Sequence, residues 1–361
     1  MRRPLTSLTT LLCTAMAAMA IAASPAFAGS SAQSSTTPTT STTPTTSTTP
    51  TTTAPGSTAP PSKPAAPVQA YASLHLSGTF ALRGNLVTVT GRPVQVQGLV
   101  RPYVAGQRVK VQTYLGSRLL RTQILRVKPA DGHRAGAFDA TVHSPTAGIV
   151  HVKVTHARTT AMTGFFAQRS FATLSQSVAP GAGGQLVELV QQRLAALHFY
   201  VPQTGVFGQG TQLALDAYHR LLGWGEGNET LGSRTIADLL DGVGRFAVRF
   251  PHQGRHVEGD LTHQVLGLID GSSVVAIYPI SSGKPSTPTI LGSYRVYMRV
   301  PGFLPDGMYY SDFFTSGYAI HGYDPAPTYP ASHGCMRLPI VDAISVYDWL
   351  ALGDWVDTYY R

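Results

Sequence analysis

Three residues near the C-terminus have side chains suited to nucleophilic chemistry: His321, His333 and Cys335, the last two separated only by Gly334. A cysteine attacks a carbonyl carbon as thiolate, and a neighbouring imidazole is the usual group that brings its pKa down from about 8.5. A glycine at position 334 permits a tight turn that points backbone N–H groups at a developing oxyanion, an interaction worth about 3 kcal/mol. The residue types and their spacing predict a cysteine nucleophile with a histidine base.

The cysteine content of the chain bears on the role of Cys335. The one other cysteine, Cys13, lies in an N-terminal segment that export would remove, so the mature chain would have no disulfide partner for Cys335. A buried structural thiol is one alternative to catalysis. A zinc site formed by His321, His333 and Cys335 is another, but no fourth ligand is evident. We expect catalysis, with no metal and no organic cofactor.

Segments with β-strand character precede this cluster. Alternating apolar residues and turn signals predict strands at 247–250, 262–268, 273–280 and 292–297. These strands must position the two histidines and the cysteine. Residues 245–361 are therefore predicted to form one mainly β domain.

Residues 181–243 have a helical pattern instead. Apolar residues recur at three- and four-residue steps over 186–197 and 213–222, and a third helix is predicted at 233–240. Thr211 is expected to cap the second helix. The pattern predicts a small three-helix bundle.

Residues 69–175 return to period-two alternation. Short alternating runs such as 94–96, 109–111 and 150–154 are separated by glycine and proline, which favours an antiparallel β-sandwich of immunoglobulin-like style. The histidines of this segment are scattered among the strands and turns without metal-ligand spacing. We expect a spacer or adhesion module with no catalytic residues.

The first 68 residues are expected to serve export and reach. Residues 1–28 combine Arg2 and Arg3 with an apolar run and a small-x-small site, which are the parts of a secretory signal peptide. Residues 29–68 are almost entirely Ser, Thr, Pro and Ala, so they cannot bury a core and are predicted to be a disordered linker. We expect cleavage after Ala28 and export of the mature protein, with a retained membrane anchor as the alternative.

The chain is basic, with a formal net charge of +9 at pH 7. Loss of Arg2 and Arg3 with the signal peptide would leave +7. A basic surface favours polyanions, so anionic wall polymers and anionic lipid are candidate partners; a charge that mainly keeps the protein soluble is the alternative. Nucleic acid is not expected, because the chain is exported and has no dense Lys/Arg run or zinc-ligand pair.

The C-terminal motifs resemble those of the L,D-transpeptidase catalytic domain family. That family has His-Gly, then after a loop Ser-His-Gly-Cys, then Asn or Arg two residues beyond the cysteine. This chain supplies His321-Gly322, the motif at 332–335, and Arg337. The resemblance covers the whole predicted C-terminal domain. It includes Ser-Gly-Lys at 282–284 and Thr-Pro at 287–288. It departs at 289–291, where family members often have a single residue.

The predicted bundle resembles the small peptidoglycan-binding domain found beside many wall enzymes. It departs at Thr204, where that family usually has an aspartate, and a purely structural helical linker is the alternative. The residues that carry the resemblance are Leu189, Gln192, Leu194, the turn at 205–208, Thr211, Gly232, Thr235 and Leu239.

The first resemblance implies a role for each residue of the C-terminal motifs. Cys335 is the nucleophile and His321 the base, its ring oriented by the backbone carbonyl of Gly322. The backbone N–H groups of Gly334 and Cys335 form the oxyanion hole, and His333 shapes the pocket. Residues expected to contact substrate or support the site are Gly322, Ser332, Arg337 and Tyr318.

The resemblance also implies a two-step reaction on peptidoglycan outside the cytoplasmic membrane, at the cell wall. Cys335 attacks the carbonyl of the third residue of a tetrapeptide stem, D-alanine leaves, and the amine of another stem resolves the thioester into a 3-3 cross-link. Water as acceptor would make the protein an L,D-carboxypeptidase. A wall-binding protein without turnover and a general cysteine peptidase are the remaining alternatives. Stem peptides are the expected partners, and carbapenem-type β-lactams the expected inhibitors.

Overall fold

The computed structural model describes residues 65–225 and 230–361. The predicted signal peptide and residues 29–64 of the predicted linker lie outside the described residues. Within the described ranges the chain forms nineteen strands and four helices, so the prediction of a mainly β protein is confirmed.

The N-terminal part is a stack of two sheets. Its strands are β1 Tyr71–Ser77, β2 Phe80–Leu82, β3 Asn85–Val89, β4 Val94–Arg101, β5 Arg108–Leu115, β6 Arg118–Arg126, β7 Lys128–Ala130, β8 Ala135–Val142, β9 Gly148–His156 and β10 Phe165–Leu174. One sheet has the order β1-β4-β8-β7 and the other β2-β3-β10-β9-β5-β6. Every strand pair is antiparallel except β3 with β10.

A valine-rich core lies between these two sheets. Val94 and Val96 of β4, Val111 of β5, and Val152 and Val154 of β9 are all completely buried. Their alternate neighbours face outward, as the period-two pattern predicts. The immunoglobulin-like topology and the domain limits stay predictions.

The helical bundle consists of α1 Gln185–Ala196, α2 Gln209–Leu221 and α3 Ser233–Asp241. The predicted cap at Thr211 is wrong: α2 begins two residues earlier, with Gly208 as its N-cap. The buried hydroxyl of Thr211 instead accepts a hydrogen bond of 2.9 Å from Gln191 Nε2 and lies 3.3 Å from the carbonyl oxygen of Val206. A threonine inside the first turn, three residues past the cap, therefore ties α2 to α1 and to the preceding turn.

The bundle shares its hydrophobic core with both neighbouring parts of the chain. A single cluster of buried side chains includes Val87 of β3, Leu215 of α2 and Ile277 in the C-terminal part. The backbone continues the contact, because Tyr200 N–H donates to Ile277 O at 3.0 Å and Ile277 N–H donates to His198 O at 2.8 Å. The bundle is packed into the fold and not tethered loosely beside it.

The C-terminal part contains two more sheets and one helix. Its elements are β11 Arg255–Asp260, β12 Val265–Asp270, β13 Ser273–Pro279, β14 Gly292–Arg295, β15 Met298–Phe303, β16 Tyr309–Thr315, β17 Tyr318–Gly322, β18 Met336–Leu338, α4 Ile340–Trp349 and β19 Trp355–Tyr359. The sheets have the orders β13-β12-β11-β19-β14 and β15-β16-β17-β18. The predicted strands at 262–268, 273–280 and 292–297 are confirmed with shifted ends.

The predicted strand at 247–250 is wrong. This segment has no strand partner because its backbone N–H groups bind a side chain: Arg249 N–H and Phe250 N–H donate to Glu258 Oε1 at 2.8 and 2.9 Å. Glu258 is completely buried in β11 and also accepts from the hydroxyl of Tyr359 at 2.9 Å. A buried carboxylate therefore replaces the neighbouring strand that alternation alone predicts.

None of the helices in residues 65–225 and 230–361 is both long and apolar enough to span a bilayer.

Candidate active site

Strands β17 and β18 bring the predicted nucleophile and base together. They pair in parallel, with Ile320 opposite Met336 and His321 opposite Arg337. Ile320 and Met336 belong to the main core of the C-terminal part, on one face of the sheet. Because side chains alternate along a strand, His321 and Cys335 lie on the opposite face as diagonal neighbours.

The imidazole of His321 is held in one orientation by the next residue. Its Nδ1 lies 2.9 Å from the carbonyl oxygen of Gly322, so Nδ1 carries the proton and Nε2 is left as the acceptor. The side chain is buried, 2% exposed, and this burial above all lowers the pKa of His321 to about 4, assisted by the charge of Arg337. The neutral ring is therefore available as a base at any pH well above 4.

Cys335 is half-buried, with Sγ 3.8 Å from the carbonyl oxygen of Gly317. Burial raises the pKa of the thiol, and this outweighs the opposing effects of a hydrogen bond with the backbone of Ala319 and of the positive charge of Arg337. In the free protein, His321 and Cys335 are therefore a neutral imidazole and a neutral thiol.

The turn before Cys335 is organised by the hydroxyl of Ser332. Its Oγ donates to the carbonyl oxygen of Cys335 at 2.6 Å and accepts the N–H of Gly334 at 3.0 Å. Ser332 is completely buried, so this arrangement is shielded from water. The expectation that the Gly334 N–H is free for an oxyanion is therefore wrong for this conformation, because Ser332 occupies that donor.

Two glycines of the motifs fill positions that a side chain could not. Gly334 has φ +122°, and a Cβ there would lie 2.3 Å from Cε1 of Tyr318. At Gly322 a Cβ would lie 2.7 Å from the Cβ of Ala343 in α4. Tyr318 thus packs against the turn of the nucleophile, and α4 packs against the strand of the base.

The structure places His333 apart from the buried pair. Its side chain is exposed, and its Nε2 accepts from Lys284 Nζ at 3.2 Å. An imidazole that accepts from an ammonium group is a poor metal ligand. Across the described ranges, no set of three His, Cys, Asp or Glu side chains is placed to hold a metal ion.

Tyr323 belongs to the site although the motifs do not include it. Its ring lies edge-on to the ring of His321, with centroids 5.8 Å apart. The guanidinium carbon of Arg337 lies 4.0 Å from the centroid of the same tyrosine ring. Tyr323 follows His321 by two residues, so strand alternation was the signal that could have identified it.

The turn of Cys335 is bonded to a second segment, which the sequence identifies as the Ser-Gly-Lys motif. Ser332 N–H donates to Ser282 O at 3.0 Å, and Lys284 N–H donates to Ser332 O at 3.0 Å. Ser282 is itself held by the side chain of Gln264, which accepts from its N–H at 2.8 Å and donates to its hydroxyl at 2.7 Å. The motif therefore supports the nucleophile turn through its backbone.

Arg220 of helix α2 extends this network into the bundle. Its Nη1 donates to the carbonyl oxygens of Gln264 at 3.1 Å and Ile280 at 2.8 Å, and its Nη2 lies 2.8 Å from Asp216 Oδ2. Arg220 and Asp216 are both buried. A continuous path of hydrogen bonds thus runs from the bundle to the residue beside the nucleophile, a contact that no motif indicated.

Comparison with known proteins finds a family match in the C-terminal part of the chain. Residues 254–357 match the family model YkuD, the L,D-transpeptidase catalytic domain. No curated protein matches the chain. Among solved structures, an L,D-transpeptidase from Xylanimonas cellulosilytica is 32% identical, covering 51% of this chain and 98% of its own, with a TM-score of 0.47.

Two further solved structures show the catalytic domain of an E. faecium L,D-transpeptidase. The free domain is 25% identical, covers 30% of this chain and 98% of its own, and has a TM-score of 0.27. The same domain acylated by ertapenem is 24% identical, with the same coverage and a TM-score of 0.26. The family match decides the assignment of the C-terminal part: residues 254–357 belong to the L,D-transpeptidase catalytic domain family.

Proposed function

We propose that this protein is an exported cell-wall L,D-transpeptidase that forms 3-3 cross-links through a thioester on Cys335, with His321 as the base. Family membership supports the transpeptidase reaction. The cross-link type and the roles of the two residues follow from the motif resemblance together with the site geometry.

In the first step His321 Nε2 takes the proton of the Cys335 thiol, and the sulfur attacks the carbonyl carbon of the third stem residue. The amide bond breaks, the proton passes from the imidazolium to the leaving nitrogen, and D-alanine departs. In the second step the neutral amine of another stem attacks the thioester carbonyl. The amine proton returns to Cys335 through the base, so the free thiol and neutral imidazole are restored.

One observation carries the proposal: Nδ1 of His321 donates to Gly322 O, on the strand face that also carries Cys335. This bond leaves Nε2 as the proton acceptor. Burial of the imidazole lowers its pKa and keeps it neutral. A neutral base beside a neutral thiol suits general-base activation at the moment of attack.

The remaining residues are proposed to shape the site around that pair. Ser332 and Tyr318 fix the nucleophile turn, and Arg337 supplies positive charge near the sulfur. His333, exposed beside Lys284, is proposed to contact the donor stem. The oxyanion would be bound by the N–H of Cys335 and, after Ser332 Oγ releases it, by that of Gly334.

The functions of the segments outside the catalytic part are also proposals. The bundle is proposed to bind peptidoglycan, with Thr204 in place of the usual aspartate. Its shared core with the C-terminal part gives it a structural function as well. Residues 1–28 are proposed to direct export.

Carbapenem β-lactams are proposed as inhibitors. A strained four-membered amide presents Cys335 with an electrophilic carbonyl and acylates it without needing the natural leaving group. An E. faecium L,D-transpeptidase catalytic domain has been solved in a form acylated by ertapenem.

The decisive experiment incubates the mature chain with disaccharide-tetrapeptide muropeptides and identifies the products by mass spectrometry. We expect dimers joined between the third residues of two stems, with release of D-alanine. Tripeptide monomers without dimers would make the protein an L,D-carboxypeptidase. If neither dimers nor tripeptides form and no acyl adduct is found, only a wall-binding function would remain. Cleavage of ordinary L-peptides would indicate a general cysteine peptidase.

A further inference from the structure

Charge is distributed very unevenly along the described chain. Residues 69–175, the N-terminal sandwich, contain thirteen lysines and arginines and only two acidic residues, a net charge of +11. Residues 176–361 contain eleven basic and sixteen acidic residues, a net charge of −5. The basic character of the protein therefore belongs to the sandwich alone, and solubility does not require such a separation of charge.

The basic side chains include a group on the solvent side of strands β6, β5, β9 and β10, here called the outer face. Arg108 lies directly opposite Arg126, and Lys110 follows two residues after Arg108 on the same side of β5. Lys153 of β9 lies opposite Gln112, two residues beyond Lys110 on β5. Like charges directly opposite each other destabilise a sheet, so the pair of arginines costs free energy unless an anion lies between them.

Carboxylates of the described residues do not neutralise this group. One acidic residue of the sandwich, Asp131, pairs with Arg101 and Arg134. In the described ranges no ion pair involves Arg108, Lys110 or Arg126. These three cations are available to an anionic ligand.

A groove runs along the same face. Its volume is about 640 Å³, and Arg108 and Lys110 line it together with two apolar side chains, Ile124 and Phe166. Ile124 is 66% exposed and Phe166 62% exposed, on either side of Lys110 in one cross-strand row. A second groove of about 450 Å³ shares Arg108 and His156 with the first and extends it. Exposed apolar residues beside cations fit a ligand with alternating apolar and anionic groups.

We propose that the outer face binds a linear polymer of phosphodiester-linked polyol or sugar units, as a wall anchor separate from the catalytic site. Guanidinium groups match phosphate oxygens in paired hydrogen bonds, and ten of the thirteen basic residues in the sandwich are arginines. The C–H groups of the polyol or sugar would lie on Phe166 and Ile124. Two adjoining grooves suit a chain and not a single small ion. The location of such a polymer at the wall rests on the proposed function, but the binding itself does not.

The test measures binding of fluorescein-labelled poly(glycerol phosphate) to the mature chain by fluorescence anisotropy, over a range of NaCl concentrations. The variant Arg108→Ala/Lys110→Ala/Arg126→Ala is compared with Arg134→Ala/Arg234→Ala/Arg245→Ala, which removes the same charge from exposed positions elsewhere. We expect the first variant to bind at least tenfold more weakly, with a salt slope reduced by about 2, and the control less than threefold more weakly. Phe166→Ala should weaken binding several-fold and leave the salt slope unchanged.

Equal losses in the two triple variants would overturn the proposal, because net charge alone would then account for binding. Equal affinity for polygalacturonate would overturn the preference for phosphate, and tighter binding to vesicles containing phosphatidylglycerol would make the ligand a membrane. Each variant is also tested for acylation by a carbapenem. The first triple variant should be acylated normally. In the wild-type protein, acylation without polymer binding would overturn only this inference, whereas polymer binding without acylation would count only against the proposed enzyme function.

Discussion

The ring of Tyr318 lies directly against Gly334, so closely that a Cβ on the glycine would approach its Cε1 to 2.3 Å. The glycine also has φ +122°, where residues with a side chain are strained. Tyr318 belongs to strand β17, and Gly334 belongs to the turn before β18. Their contact sets the distance between the strand of the base and the turn of the nucleophile.

Gly334→Ala should therefore reduce the rate of carbapenem acylation by about 10² or more, because a shift of about 1 Å at a reacting atom has that effect. Removing the ring in Gly334→Ala/Tyr318→Ala should restore part of the rate, while backbone strain of about 1–3 kcal/mol remains. Stopped-flow fluorescence measures the rates. Wild-type acylation by Gly334→Ala would show that the contact has no bearing on the nucleophile.

Cys335→Ala should abolish the mass increase that a carbapenem produces on the intact protein, since Cys335 is the only thiol in the described ranges. Cys335→Ser should fold normally and acylate far more slowly, because a hydroxyl at this site is a weaker nucleophile than a thiol. Intact-protein mass spectrometry gives both results. A persistent adduct on the alanine variant would place the nucleophile elsewhere.

The decrease of the acylation rate at low pH should follow the protonation of His321. The pKa of His321 is lowered to about 4, so the imidazole stays neutral and can accept a proton as the pH falls through 6 and 5. We expect the wild-type rate to fall only as the pH approaches 4, and a midpoint near 6.5 would contradict the assignment of a buried base. His321→Ala should slow acylation by about 10² or more at pH 7.

Rates at higher pH and a control variant at the second histidine of the motifs complete this test. The pKa of the Cys335 thiol is raised, so in His321→Ala the remaining rate should increase about tenfold per pH unit through neutrality, following the fraction of thiolate. The matched control is His333→Ala, which removes an exposed imidazole from the same motif. A larger loss in His333→Ala than in His321→Ala would reverse their proposed roles.

Arg220→Ala should destabilise the fold by about 3–5 kcal/mol, because it leaves the buried carboxylate of Asp216 without its guanidinium. The double variant Asp216→Leu/Arg220→Met removes both charges and should recover much of that loss. We expect its acylation rate to stay low, because the carbonyl groups of Gln264 and Ile280 have lost the guanidinium that links them to α2. Urea unfolding and acylation kinetics on the same samples separate the two effects, and full recovery of both would assign Arg220 to folding alone.

Glu258→Ala should destabilise the C-terminal part by about 3 kcal/mol or more, since the N–H groups of Arg249 and Phe250 lose their acceptor. Hydrogen bonds to His256, Phe250, Arg249 and Tyr359 lower the pKa of Glu258 despite its burial, so its stabilising effect should be lost as the pH falls below its usual value of 4.5. Urea unfolding at several pH values measures this. Equal stability of variant and wild type at pH 7 would show that another group satisfies the segment.

Local patterns in the sequence predicted the elements that build most of the fold. Period-two alternation gave β4, β5 and β9, and apolar spacing gave all three helices of the bundle, because both patterns record which side of an element is buried. The segment at 247–250 also alternates, yet it forms no strand. Its partner is the carboxylate of Glu258, which no pattern within the segment reveals.

The sequence by itself determined which residues could react: one thiol beyond the predicted export segment, two histidines, and the glycines beside them. Those identities depend only on residue type and on spacing along the chain. The tertiary structure decided how they are arranged. Parallel pairing of β17 with β18 puts His321 beside Cys335, Ser332 takes the N–H of Gly334, and Arg220 joins the network from 115 residues before the nucleophile. Pairing register, burial and long-range hydrogen bonds arise only when distant segments meet, so they could not be predicted from local sequence.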